Sequence, residues 1–401
     1  MGGELQPSVW KCGLFLAVLT VPWLGCQKPA PVRAKPAPTA EAPATAPGDI
    51  PANREVDDTA RFLAGMPGNP GSPFSAWEDS PAWRHHRELL DAAWANADNK
   101  LVHGLRQFQQ SDLTGPPLDH AVLFYPFGGP DALTATICFP HSPTYLLVAL
   151  EPAGTLPSEK LLAKKPMEQY LGAVRTSMES ELGKSFFVTR EMDRQFRGQI
   201  TDGLLVPILL LLVRTEHTIV GMRYVRINEE GQMVERPPAV PVEGKFPNKG
   251  IEIEFRTPGD PSTHRLYYVT VNLSDKRLRG NWGFLHYVTG IPAPVTMLKA
   301  TSYMTHHPDF SMIRDLVLNH SAAIFQDDSG IPFHCFLAGQ WNLQLYGDYT
   351  RPYGSFRWLE QADLRKAYLA GGVKPLSLRL GYGFGKVTSN LLLAKRVGET
   401  K

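Results

Sequence analysis

The chain has 401 residues, a length that leaves room for more than one domain. Its 41 Lys and Arg against 39 Asp and Glu give a net charge of +2, which excludes the basic excess of a nucleic-acid binder. Hydrophobic residues at 43% and aromatics at 10% exclude wholesale disorder, while 35 Gly and 35 Pro point to many turns or a biased segment.

The chain begins with a weakly positive stretch holding Lys11, followed by an apolar run over residues 13–25. That run is shorter than the roughly 20 residues of a membrane-spanning helix and reads as the apolar part of a signal peptide. It ends in Leu24-Gly25-Cys26. Residues 27–52 then hold seven Pro, eight Ala and no aromatic residue. Such a stretch cannot bury a core and forms a semi-extended tether, reaching roughly 80 Å in polyproline geometry. Leu24-Gly25-Cys26 resembles the lipobox of bacterial lipoprotein precursors. The resemblance implies cleavage after residue 25, lipidation of Cys26, and attachment of the mature chain to a membrane through that lipid. Gln27 stands where an aspartate would direct inner-membrane retention, so proteobacterial sorting implies the outer membrane of the cell envelope.

Residues 53–78 read as an irregular approach segment, broken by Pro67, Gly68, Pro70, Gly71 and Pro73. The globular region is expected over 79–398. Ser80-Pro81 opens a helix whose apolar residues recur at helical spacing to Phe108. Ala121–Phe127 reads as a buried strand ending at Gly128-Gly129-Pro130-Asp131, with Leu133–Phe139 and Tyr145–Leu150 as two further strands of a meander. Met167–Leu182 is a helix by its spacing. Leu204–Val213, the most apolar stretch of the mature chain, reads as a buried core element. Thr218–Ile227 is a strand, and the proline-rich 236–250 marks an internal sub-boundary. Ile251–Phe255 and Tyr267–Leu273 alternate around Thr257-Pro258-Gly259-Asp260-Pro261 and form a hairpin. Asp309 and Ser355 are expected to cap helices, and Trp341–Tyr349 and Leu376–Leu380 to be strands. Hairpins mixed with amphipathic helices make the fold α+β, with mixed or antiparallel sheets.

Two of the four cysteines, Cys138 and Cys335, belong to the globular region. They read as separate buried thiols, although an exported compartment permits a disulfide.

The candidate chemistry lies in two places. Residues 299–334 gather Lys299, Ser302, His306, His307, Asp309, Asp327, Asp328 and His334. Imidazole beside carboxylate can do acid-base work or hold a divalent metal. The spacings match no standard ligand pattern, and no Gly-x-Ser-x-Gly elbow is present. Gly381–Lys386 lacks the spacing of a phosphate loop and reads as the end or bulge of a strand. The second place is Phe124–Asp131. Here Tyr125, Phe127 and Asp131 are binding candidates on the rim of an aromatic groove.

The expectation is an anchored envelope protein with a non-catalytic binding or structural role, no cofactor, and an envelope protein, peptide or glycan partner. The alternative is an envelope hydrolase using His306, His307, Asp309, Asp327 and Asp328, with a divalent metal only in that case.

Overall fold

The four residues Leu123–Pro126 (β1) are apolar, buried throughout, and placed at the centre of a ten-stranded sheet. The computed structural model describes residues 54–163, 166–185, 203–237, 246–352, 354–383 and 389–398. Cys26 and the tether lie outside the described residues.

The other strands are Thr144–Ala149 (β2), Thr218–Ile227 (β3), Met233–Glu235 (β4), Lys249–Arg256 (β5), His264–Thr270 (β6), Val295–Leu298 (β7), Ala323–Gln326 (β8), Trp341–Gly347 (β9) and Asn390–Arg396 (β10). Their order is β4-β3-β5-β6-β2-β1-β7-β8-β10-β9. The pairs β6·β2, β2·β1, β1·β7 and β7·β8 are parallel, and the remaining pairs are antiparallel. The fold is α+β with one mixed sheet. The β5–β6 hairpin forms as its alternation implies. The proline-rich 236–250 divides no sheet, because β3 and β5 on its two sides pair along their length.

Alternation along the strands creates two apolar layers. Tyr125, Tyr145, Leu147, Met297 and Phe325 point to one, and Phe124, Leu146, Val148, Leu298 and Ile324 to the other. The first layer is roofed by the helices Arg54–Leu63, Pro81–Ala97, Ala132–Cys138, Met167–Lys184 and Leu205–Arg214. The second is roofed by Trp282–Thr289, Ser311–His320 and Ala362–Leu369. Leu205–Val213 is buried at every position, and Pro207 sits in the first turn, where its missing N–H costs nothing. No described helix is long and apolar enough to cross a membrane.

Several elements differ from the sequence reading. Leu133–Phe139 is no strand: Ala132–Cys138 is a helix, and Asp131 caps it by accepting from Thr134 N at 3.0 Å. A short apolar run carries no period, so the cap decides its state. The expected meander is therefore a β1–helix–β2 crossover with parallel strands. The approach segment is also ordered, since Arg54–Leu63 is a helix with seven buried residues. Asp57 fastens it to the sheet: Oδ1 accepts from Ile219 N at 2.9 Å, and Oδ2 from Arg61 Nε at 2.7 Å and Asn69 Nδ2 at 2.9 Å. Asp57→Ala strands the Ile219 amide in the core and should cost about 2–3 kcal/mol, read as a lower urea midpoint. An unchanged midpoint contradicts this.

Leu376–Leu380 is irregular rather than a strand, and Gly381–Gly383 is a 3-10 turn, not a strand end. Ser355 lies within the 3-10 turn Gly354–Leu359, and the helix after it starts only at Ala362, behind Gln361. Asp309 does not cap Ser311–His320. Asp275 does so from a neighbouring turn, accepting from Ser311 Oγ at 2.6 Å and Met312 N at 2.9 Å. Cys138 and Cys335 are not joined in a disulfide; both are buried, and they lie on opposite faces of the sheet.

Candidate functional site at the carboxyl edge of the parallel strands

From β1 the chain crosses to β2 on one side, and from β7 it crosses to β8 on the other. The two crossover helices, Ala132–Cys138 and Ser311–His320, lie on opposite faces of the sheet. This reversal opens a crevice beyond the carboxyl ends of β1 and β7, where open parallel sheets hold their ligands. The loops there carry left-handed backbone at Phe127, Ala300, Ser302 and Tyr303, a conformation that is costly for side chains other than glycine.

The crevice brings together the two segments that the sequence left apart. Asp131 Oδ2 accepts from Tyr125 Oη at 2.8 Å and pairs with Lys299 Nζ at 2.6 Å. Lys299 Nζ also donates to Thr134 Oγ1 at 2.9 Å. Both partners of the ion pair are almost fully buried. Tyr125 reaches Asp131 because Gly128 leaves room for its ring; a Cβ there would meet Tyr125 Cγ at 2.6 Å.

Asp327, at the end of β8, is buried beside this pair. It accepts from Ala300 N at 2.9 Å, Ser329 N at 3.0 Å and Ser329 Oγ at 2.5 Å. Burial raises its carboxyl above the usual carboxylate range, while these donors and Lys299 oppose the rise. Gly381, at φ +55°, lies directly on it, and a Cβ at that position would stand 2.5 Å from Asp327 Oδ2. Thr301 N donates to Ser329 Oγ at 2.8 Å and Thr305 Oγ1 to Gly330 O at 2.6 Å, so the loops after β7 and β8 are laced together.

Outward from the ion pair lies a narrow cleft that opens to solvent. Asp327, Asp328, Asn390 and Thr350 line its polar part, and Tyr303, Phe356 and Tyr382 line its aromatic part. Asp328 Oδ2 accepts from Tyr303 Oη at 2.6 Å, and its backbone N donates to Asn390 Oδ1 at 3.1 Å. Burial, then the Asp328 charge, pushes the Tyr303 phenol far above its ordinary range, so it serves as a fixed donor. The Tyr303 ring centroid is 5.1 Å from that of Phe356 and 6.3 Å from that of Tyr382. Tyr382 Oη lies 3.0 Å from Ser302 Oγ and 3.2 Å from Ala300 O.

The other expected site residues stand elsewhere. His306 packs its ring edge-on against Tyr303 at 5.1 Å, its Nε2 is buried without a hydrogen-bond partner, and burial lowers its pKa to about 4. His307 and Asp309 face solvent and contact each other, with His307 Nδ1 accepting from Asp309 N at 3.2 Å. His306 and His307 are therefore not gathered with Asp327 and Asp328 into one acid-base cluster. No group of three or more His, Cys, Asp or Glu able to hold a metal occurs among the described residues. Tyr125 and Asp131 form the buried floor of the crevice rather than an exposed rim, and Phe127 packs on Phe310 at 5.8 Å. Phe356, Tyr382 and Asn390 carry no signal in the sequence. The strand edge itself is marked by two short, mostly apolar runs, Val295–Leu298 and Ala323–Gln326, each followed by a charged residue. No protein-family model, curated protein or solved structure matches the chain.

Proposed function

We propose that the chain is a bacterial envelope lipoprotein, held at the outer membrane by a lipid on Cys26, whose folded region binds a small polar ligand without transforming it. The N-terminal pattern supports the anchor: an apolar run ending in Leu24-Gly25-Cys26, then a Pro/Ala tether. The observation that carries the binding role is the cleft at the strand switch, with carboxylates and an amide opposite an aromatic wall. No histidine or cysteine lines it among the described residues. The ligand is a free small molecule or the terminal group of a larger envelope protein, peptide or glycan.

A Cys26→Ser chain should leave the membrane fraction, and unchanged fractionation refutes the anchor. For the cleft, the test is a thermal-shift screen of the detergent-solubilised full chain against small polar compounds. Hits should raise the melting temperature of the wild type and not of Phe356→Ala. No hit, or hits that persist in the variant, overturn the binding role.

A second reading, an envelope hydrolase, draws on the raised carboxyl of Asp327 at the cleft, a property suited to a general acid. Turnover of any chromogenic ester, phosphate or glycoside that disappears in Asp327→Asn would establish it over the first.

A further inference from the structure

The exposed turn between β5 and β6 holds the chain's only Asp-Pro bond, Asp260-Pro261. It lies at the amino end of β2 and β6, away from the crevice. An Asp-Pro bond is the most readily hydrolysed kind of peptide link. The aspartate carboxylate can attack its own carbonyl carbon through a five-membered ring, which gives it a high effective concentration. The proline nitrogen is that of a tertiary amide and is more basic than other amide nitrogens, so it leaves once it takes up a proton.

A fold speeds this reaction when it keeps the carboxylate ionised and sets a proton donor beside the nitrogen. The turn supplies both. Asp260 N donates to Thr257 O at 3.1 Å, and Asp260 Oδ1 accepts from Ser262 N at 2.8 Å. The hydroxyl and amide of Ser262 hold the Asp260 carboxyl below the usual carboxylate range. His264 opens β6, with its ring buried and stacked on Phe255 at 5.4 Å. Its Nδ1 lies 2.8 Å from Ser142 O and donates there. Nε2 is therefore the position that gains a proton when the ring becomes charged, a change imidazole makes between pH 5 and 8. Nε2 stands 3.5 Å from Asp260 Oδ2 and 3.4 Å from Ser262 Oγ, the residues on either side of Pro261. The other titratable groups near the ring are exposed His141, His217, kept neutral by burial, and the Tyr145 phenol, which burial pushes far up.

We propose that the folded chain cuts itself at Asp260-Pro261. A carboxylate oxygen of Asp260 attacks the Asp260 carbonyl carbon, the bond from that carbon to the Pro261 nitrogen breaks, and the His264 imidazolium gives its proton to the leaving nitrogen. Water then opens the cyclic anhydride into two carboxyl groups, and one of their protons restores the imidazolium. The net change is hydrolysis of one peptide bond. The pieces stay together, because the cut lies outside the β5–β6 register and β6 also pairs with β2.

The test incubates the detergent-solubilised full chain, folded, at pH 6 and at pH 8, and reads intact mass after denaturation at neutral pH. A fragment beginning at Pro261 should accumulate, with the two fragment masses summing to the chain plus one water, roughly tenfold faster at pH 6. Asp260→Asn and Pro261→Ala should each slow it by about tenfold or more. His264→Gln, which keeps a donor for Ser142 O, should slow it by about tenfold and remove the pH dependence. The same chain unfolded in urea at pH 6 should stay intact over the same period. If His264→Gln fails to fold, the pH dependence of the wild type and the urea comparison decide in its place. A folded wild type that stays whole at pH 6 overturns the proposal. Cleavage that is as fast in urea, or as fast in folded His264→Gln, overturns it too.

Discussion

Replacing Lys299 by methionine should cost about 3–5 kcal/mol of folding stability, the largest loss expected from any single side chain at the crevice. The residue is almost fully buried, and its removal leaves the Asp131 carboxylate under the sheet with only Tyr125 Oη and Thr134 N to meet it. Asp131→Asn alone leaves the ammonium with Thr134 Oγ1 and the charge of Asp327 beside it, so it should cost less than Lys299→Met. It retains one oxygen to cap Ala132–Cys138, so the helix itself should survive. The combination Lys299→Met with Asp131→Asn removes both charges at once and should recover more than half of the loss of the first variant. Urea unfolding of the three variants measures this coupling, since contacting residues do not add independently. Strictly additive losses would show that the pair does not hold the crevice together.

The second large effect is acid lability. His86 and His217 are buried, and burial lowers the pKa of each to about 4 from an ordinary 6.5. Their bonding fits the neutral form. His86 Nε2 donates to Leu63 O at 2.9 Å, leaving Nδ1 to accept from Arg175 at 3.3 Å. His217 Nδ1 donates to Leu212 O at 3.2 Å, with its ring edge on Phe255. Below pH 6.5 the unfolded chain binds protons that the folded chain refuses until near pH 4, so stability falls as pH is lowered through that window. At pH 5 the loss is about 2 kcal/mol for each histidine, about 4 for the two, against a total stability of roughly 5–15 kcal/mol. Urea midpoints measured from pH 7 down to pH 4.5 should decline steeply. His86→Gln, which keeps a donor and an acceptor without titrating, should make the decline shallower. A slope equal in the two proteins would contradict the assignment.

Long periodic elements were legible in the sequence, and short ones were not. The Pro81–Ala97 and Met167–Lys184 helices and the β5–β6 hairpin each repeat their pattern often enough to declare it. Val295–Leu298 and Ala323–Gln326 are four residues long and buried on both faces, so they carry no alternation, yet they form half of the strand edge that bears the crevice. Ala132–Cys138 is buried all round and reads equally as strand or helix until Asp131 is seen to cap it. The candidate site was legible in part for the same reason. Asp131 and Asp327 could be singled out as residue types, but Lys299 gains its meaning only from parallel strands that place its ammonium 2.6 Å from Asp131. Phe356, Tyr382 and Asn390 arrive from distant parts of the chain, and no local pattern announces them.

The central claim is that ligand binding occurs at the carboxyl-edge cleft. A crystal structure of the protein soaked, at saturating concentration, with the compound that stabilises it most in the thermal-shift screen tests it most directly. The predicted result is density between the Tyr303–Phe356–Tyr382 wall and the side chains of Asp328 and Asn390. Density only at another surface, or a cleft left empty at saturation, would contradict the account.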